Sequence, residues 1–208
     1  MRKTSMRQTS QLIGVIGALI LTTQLLTVPA LAQVGAEGPE MRLDPANASE
    51  YFPDLPLVNQ DGESMLFYSD LIADKKVVIN VFFTSCVGVC PMLSQKMAAV
   101  QRELGDRLGK EVRLVSISVD PKTDTPQRLK AYAARFEARP GWYLLGGDKE
   151  NVDGVLQKLG QYVKDKEGHS NILLVGNLET GRWKKVFGLA PAKEVVGAVM
   201  AVLNDDPS

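Results

Sequence analysis

Hydrophobic and polar positions change period several times along the chain, and each change marks an element. Residues 76–84 (K-V-V-I-N-V-F-F-T) are nearly all apolar or β-branched, which predicts a strand buried on both faces of a sheet. From Pro91 the period lengthens: Met92, Leu93, Met97, Val100 and Leu104 recur at helical spacing, with Gly105 or Gly109 as the stop. Residues 112–119 (V-R-L-V-S-I-S-V) predict a second buried strand, ended by Asp120-Pro121. Thr125 then caps a helix with Pro126 at its first position, and Leu129, Tyr132, Ala133 and Phe136 make its apolar face. Residues 142–145 read as a short strand, 150–159 as a short helix, and 171–175 with 184–187 as a hairpin across Glu179-Thr180-Gly181. Residues 192–203 are a last amphipathic helix, and ahead of all these 53–58 and 64–68 read as short strands around a polar turn.

From residue 51 the order is therefore β-β-β-α-β-α-β-α-β-β-α. A parallel β-α-β core followed by an antiparallel hairpin and a final helix is the thioredoxin-like arrangement, an α/β fold with a mixed central sheet flanked by helices. Such a sheet carries its reactive group at the carboxyl end of the first central strand, where that strand meets the first helix. The two cysteines of the chain, Cys86 and Cys90, fall there.

Composition sets the surroundings of this site. The chain has 208 residues, 45% of them hydrophobic, enough for one ordinary domain, and 24 basic against 24 acidic residues give no basic excess for nucleic acid. Residues 1–32 read as an export signal: Arg2, Lys3 and Arg7 precede a charge-free apolar run, which ends in Pro29-Ala30-Leu31-Ala32. The run is also close to the length of a membrane span, so a retained inner-membrane anchor is the competing reading. Residues 33–50 are polar and rich in Ala, Gly and Pro, and are expected to be a flexible linker to a domain at 51–208. Export places that domain in the periplasm, where a cysteine pair kept for function must be held reduced or metallated.

The spacing C-x-x-x-C bears on the chemistry. Cys90 lies at the start of a helix, whose unpaired N–H groups and partial positive charge lower a thiol pKa, so at least one cysteine is expected as thiolate. Thioredoxin-type exchange uses C-x-x-C. The extra residue here lets both sulfurs converge on one ion while still permitting a disulfide. The peroxiredoxin pattern P-x-x-x-T-x-x-C fails, since its Thr and Pro positions hold Phe83 and Ile79, and Pro91 excludes the haem signature C-x-x-C-H. Two thiolates need a third ligand, and the one histidine, His169, precedes the strand at 171–175, beside the first active-site helix in such a fold. A Cys₂His set suits Cu(I) or Zn(II), the imidazole also admits Cu(II), and three ligands leave a position open for transfer. Met92 is the nearest thioether and is expected in the core.

These residues resemble the Sco/SenC family, thioredoxin-like copper proteins of cytochrome oxidase assembly, over roughly residues 51–203. F-F-T-S-C-V-G-V-C-P (82–91) is similar to the family's F-x-T-x-C-x-x-x-C-P, and S-V-D-P-K-T-D-T-P (118–126) to its S-x-D-P-x-x-D-T-P. Gly168-His169-Ser170 stands where the family has Asp-His-Ser or Asp-His-Thr, after a segment, 159–169, shorter than is usual there. The resemblance implies copper bound by Cys86, Cys90 and His169. It also implies delivery of copper or of reducing equivalents to the copper-site subunit of a respiratory oxidase, with a copper donor or thiol reductant upstream. A monomer is expected. A copper-independent periplasmic thiol–disulfide oxidoreductase is the alternative, and a structural disulfide in a partner-binding module is a third reading. Asp120 and Asp124 are read as structural, the first ending a strand, the second capping a helix with Thr125.

Overall fold

The computed structural model describes residues 35–206. The expected export signal lies outside them. Among the described residues no helix is long and apolar enough to cross a membrane.

The core of the sheet is β4 (Lys76–Phe82), β5 (Val112–Ser118) and β6 (Trp142–Gly146), which run parallel. Every residue of β4 is buried, as its nearly continuous apolar run requires of a strand covered on both faces. β7 (Ile172–Asn177) pairs antiparallel to β4 and forms a hairpin with β8 (Arg182–Phe187). On the other side β2 (Pro56–Asn59) pairs antiparallel to β6 and to β3 (Ser64–Leu66). With β1 (Glu37–Arg42) on β8, the sheet order is β1-β8-β7-β4-β5-β6-β2-β3. One face is covered by α2 (Val89–Leu104), α3 (Pro126–Arg135) and α5 (Ala192–Leu203), the other by α1 (Ala48–Tyr51), the π-helix at Phe67–Ile72 and α4 (Lys149–Lys158). From β2 onward the strands and α-helices follow one another along the chain in the order read from the sequence, with the π-helix added between β3 and β4.

Alternation along β4 and β5 divides the core. Val78, Phe82 and Leu114 pack under α2, α3 and α5, while Val77, Ile79, Val81, Val115 and Ile117 pack on the opposite face. A polar chain crosses the first face: Trp142 Nε1 donates to Ser116 Oγ at 3.0 Å, and Ser116 Oγ to Asn80 Oδ1 at 2.6 Å. It gives the Asn80 carbonyl oxygen a donor inside a largely apolar strand.

From Glu37 on, the segment expected as linker is structured instead. Glu37–Arg42 forms β1, and Pro45–Asn47 and Ala48–Tyr51 are helical turns. Five of the six β1 residues are exposed, so the strand has no apolar alternation to betray it. It is held by backbone pairing to β8, by Arg182 bonded to both oxygens of Glu40 (2.9 and 3.1 Å) and by a Lys184–Glu37 ion pair. Gly38 is required there: a Cβ would lie 2.3 Å from the Lys185 carbonyl oxygen. A second difference is at residues 67–68, expected as strand, where a π-helix begins and Phe67 turns into the core.

Candidate metal centre

The loop from Phe83 to Gly88 carries the chain from β4 to α2. Phe83 and Cys90 are buried, Cys86 is half-buried, and Val87 at the loop tip is 97% exposed. α2 starts at Val89, two residues earlier than expected, which places Cys90 inside its first turn. Cys90, Leu93, Met97, Val100 and Leu104 then form the buried stripe, so Met92 does not join the core and is 48% exposed.

His169 arrives from the opposite direction. It ends a 3-10 turn, Lys166–Gly168, whose entry is capped by Asp165 accepting from Glu167 N. The segment before it is short, yet the turn brings the imidazole inward to 9% exposure. Its Nδ1 lies 3.1 Å from the Ser170 carbonyl, which can only accept, so Nδ1 carries the proton. Nε2 is left with its lone pair, and it stands 3.2 Å from Cys90 Sγ. Phe83 meets the imidazole edge-on, with ring centres 5.5 Å apart. Lys166 Nζ sits 5.0 Å from the other partner of this stack, the Phe83 ring, and bonds Asp120 at 2.7 Å. The histidine turn and the cysteine loop are thereby tied through Phe83.

The donor atoms of Cys86, Cys90 and His169 all lie within 4.8 Å of one another. An ion held by three such donors in one plane, about 2.0–2.3 Å from each, separates the donors by roughly 3.5–4 Å. The observed spacings bracket that span, and a set of two sulfurs and one imidazole nitrogen with its outer N–H already fixed is the donor chemistry of a soft-to-borderline metal. The residues present fit such an ion.

The expectation of a thiolate on at least one cysteine does not fall on Cys90. Burial, together with the hydrogen bond shared with Cys86, pushes its pKa up to about 12. Backbone N–H groups act in the opposite sense, but the sulfur is fully enclosed, and desolvation outweighs the helix terminus. Cys90 is therefore a thiol until a cation takes its proton's place, and its sulfur lies 3.2 Å from Nε2 of His169.

In the D-P-K-T-D-T-P segment the strand ends before Asp120 as read, but Asp124 does not cap the helix. Thr125 alone caps α3, accepting from Arg128 N at 3.5 Å. Asp124 turns inward to 1% exposure and accepts from Thr84 N at 3.0 Å, Thr84 Oγ1 at 2.5 Å and Ser118 Oγ at 2.6 Å. Asp120 pairs with Lys166. Burial alone would raise its pKa, but hydrogen bonds from Lys166 and Thr123 hold the carboxyl below its usual range. A signal for Asp124 was present in the sequence: one cap residue suffices for α3, and Thr125-Pro126 already supplies it.

The SCO1/SenC family model matches residues 44–180, which span both motifs and His169. The chain belongs to the SCO1/SenC family. Among its relatives is an SCO2-like protein of Rickettsia felis, 33% identical over 151 residues, covering 72% of this chain and 67% of the relative. Of solved structures, it is similar to a SCO1/SenC family lipoprotein from Bacillus anthracis (TM-score 0.58, 27% identity, covering 72% of this chain and 95% of that one). It is also similar to Arabidopsis thaliana ScoI with copper bound (TM-score 0.57, 26% identity, 72% and 93% covered). The thioredoxin-like fold read from the element order is the fold of these SCO1/SenC structures.

Proposed function

We propose that this chain is an exported, periplasmic copper-binding accessory protein. It supplies copper, or the reducing equivalents that prepare a copper site, to the copper-site subunit of a respiratory cytochrome oxidase. Cys86, Cys90 and His169 are its copper ligands. One observation carries the reading: the chain's single histidine meets its only two cysteines with all three donor atoms within 4.8 Å. The copper-bound family structure supports copper over zinc, and the residue 1–32 pattern supports export.

Each residue has a distinct part. His169 offers Nε2 because Ser170 O holds Nδ1. Cys90 is the enclosed ligand, and it must surrender a proton on binding. Cys86 is half-buried beside the exposed tip residue Val87, so a partner's ligand can approach from the Cys86 side. Three protein ligands leave a position open for that ligand, as transfer needs.

Metal analysis and copper titration of the reduced protein test this. One copper per chain is expected, with loss of most affinity in Cys86→Ser, Cys90→Ser and His169→Ala. Unchanged Cu(II) affinity and unchanged thiolate charge-transfer absorption in His169→Ala would refute the three-ligand site. A copper-independent thiol–disulfide oxidoreductase is the second reading, favoured by two free cysteines with adjacent sulfurs, one of them half-buried. A Cys86–Cys90 potential far below about −270 mV would count against it, because such a pair is hard to recycle.

A further inference from the structure

Asp124 is an enclosed carboxylate with no cation bonded to it among the described residues. Such a group is costly unless neighbouring donors use its lone pairs. Its three donors are not spread at random. Two belong to Thr84, the backbone N–H and the hydroxyl, and the third is Ser118 at the end of β5. Thr84 stands two residues before Cys86, whose own N–H closes the turn onto Phe83 O at 3.1 Å. Ser85, Val87 and Gly88 add no side-chain hydrogen bond to the loop. Asp124 is thus the polar side-chain anchor of the turn that launches Cys86, and it reaches that turn from the start of α3, an element outside the ligand set.

We propose that Asp124 is a positioning residue of the metal centre. By holding both polar groups of Thr84 it fixes the path of the loop, so that the Cys86 sulfur stands within reach of Cys90 and His169. The inference rests on the metal-centre reading above. It goes beyond it by assigning the precision of the site to a residue that touches no metal and whose place ahead of a Thr-Pro pair suggests a helix cap. Removing the partners that orient a metal ligand typically weakens affinity by about 10–100-fold.

The test is Cu(II) titration of the full reduced chain, followed by thiolate charge-transfer absorption. Asp124→Ala is expected to bind copper about 10–100-fold more weakly, with a shifted band. Asp124→Asn keeps an oxygen for the Thr84 amide and is expected to recover most of that loss. Ser118→Ala removes the one bond to Asp124 that does not come from the loop. It is expected to lower thermal stability while keeping copper affinity within about twofold of wild type. If Asp124→Ala is folded and binds copper with unchanged affinity and band, the proposal is overturned. It is overturned equally if Ser118→Ala, matched in melting temperature, loses affinity to the same degree, since the effect is then general loosening. Should Asp124→Ala fail to fold, Thr84→Val deletes the hydroxyl bond at nearly constant shape, and unchanged affinity there also overturns it. If wild type itself takes no copper, the metal reading fails. Positioning is then read from the equilibrium with glutathione disulfide, in which the Cys86 and Cys90 thiols lose two electrons and two protons to give their disulfide and two glutathione thiols. A change of more than about threefold in that constant for Asp124→Ala, or for Thr84→Val where Asp124→Ala does not fold, supports positioning, because disulfide closure demands specific geometry. No change refutes it.

Discussion

Copper affinity should rise with pH by at least one full proton's worth, and Cys90 sets that floor. Its sulfur is enclosed and its pKa is pushed up to about 12 by burial and the bond with Cys86. In the metal-free protein the thiol is therefore protonated at every pH from 6 to 8. In the copper complex the ligand is thiolate, so binding must expel the proton. The bound state holds fewer protons than the free state, and raising the pH therefore favours binding. Each pH unit gives about tenfold for one proton, about 1.4 kcal/mol, so affinity for Cu(I) should climb at least about 100-fold between pH 6 and pH 8. The slope does not depend on where above the working range the pKa lies, only on its lying well above it. A competition titration against a Cu(I) chelator of known pH dependence measures it, and calorimetry in two buffers of different ionisation enthalpy counts the protons directly. A slope below about one half per pH unit would mean that Cys90 is already ionised, as a helix-terminus argument alone predicts, and would refute the burial argument.

Other consequences follow from contacts around the centre and in the sheet. Lys166→Gln removes the Asp120 pair and the cation over Phe83, and should weaken copper binding about threefold at low salt and less at high salt, by titration at two ionic strengths. Because Asp120 is held below its usual range, its contribution to stability is present near neutral pH and lost as the pH falls through the folded pKa. Melting temperatures of wild type and Asp120→Asn should therefore differ at pH 6 and draw together as the pH is lowered below the ordinary carboxylate range. Trp142→Phe breaks the bond to Ser116 and should cost about 1–3 kcal/mol in urea unfolding while leaving copper affinity unchanged. Gly38→Ala drives a Cβ against the Lys185 carbonyl and should loosen β1, lowering stability by about 1–3 kcal/mol and exposing the β8 edge to amide exchange.

What the sequence discloses here is decided by periodicity, and what it hides is decided by side chains that serve no periodic face. β4 and β5 are legible because strands buried on both faces need continuous apolar runs, and α2 because its stripe recurs every three to four residues. β1 is hidden because an edge strand exposed on both faces needs only backbone partners and two ion pairs, which leave no pattern in E-G-P-E-M-R. The ligand set is legible for a different reason: with one histidine and two cysteines, chemistry leaves few combinations, and the fold places them together. The supports of that set are not legible in the same way. Asp124 reads locally as one more acidic residue before a helix, and its role appears only when Thr84, forty positions upstream, is brought against it. Local pattern and long-range contact disagree at this residue, and a place where a plausible cap is turned inward and enclosed without a cation is where a constraint beyond folding should be sought. The same logic governs Cys90, whose position on a helix predicts thiolate and whose burial keeps it a thiol until a metal arrives.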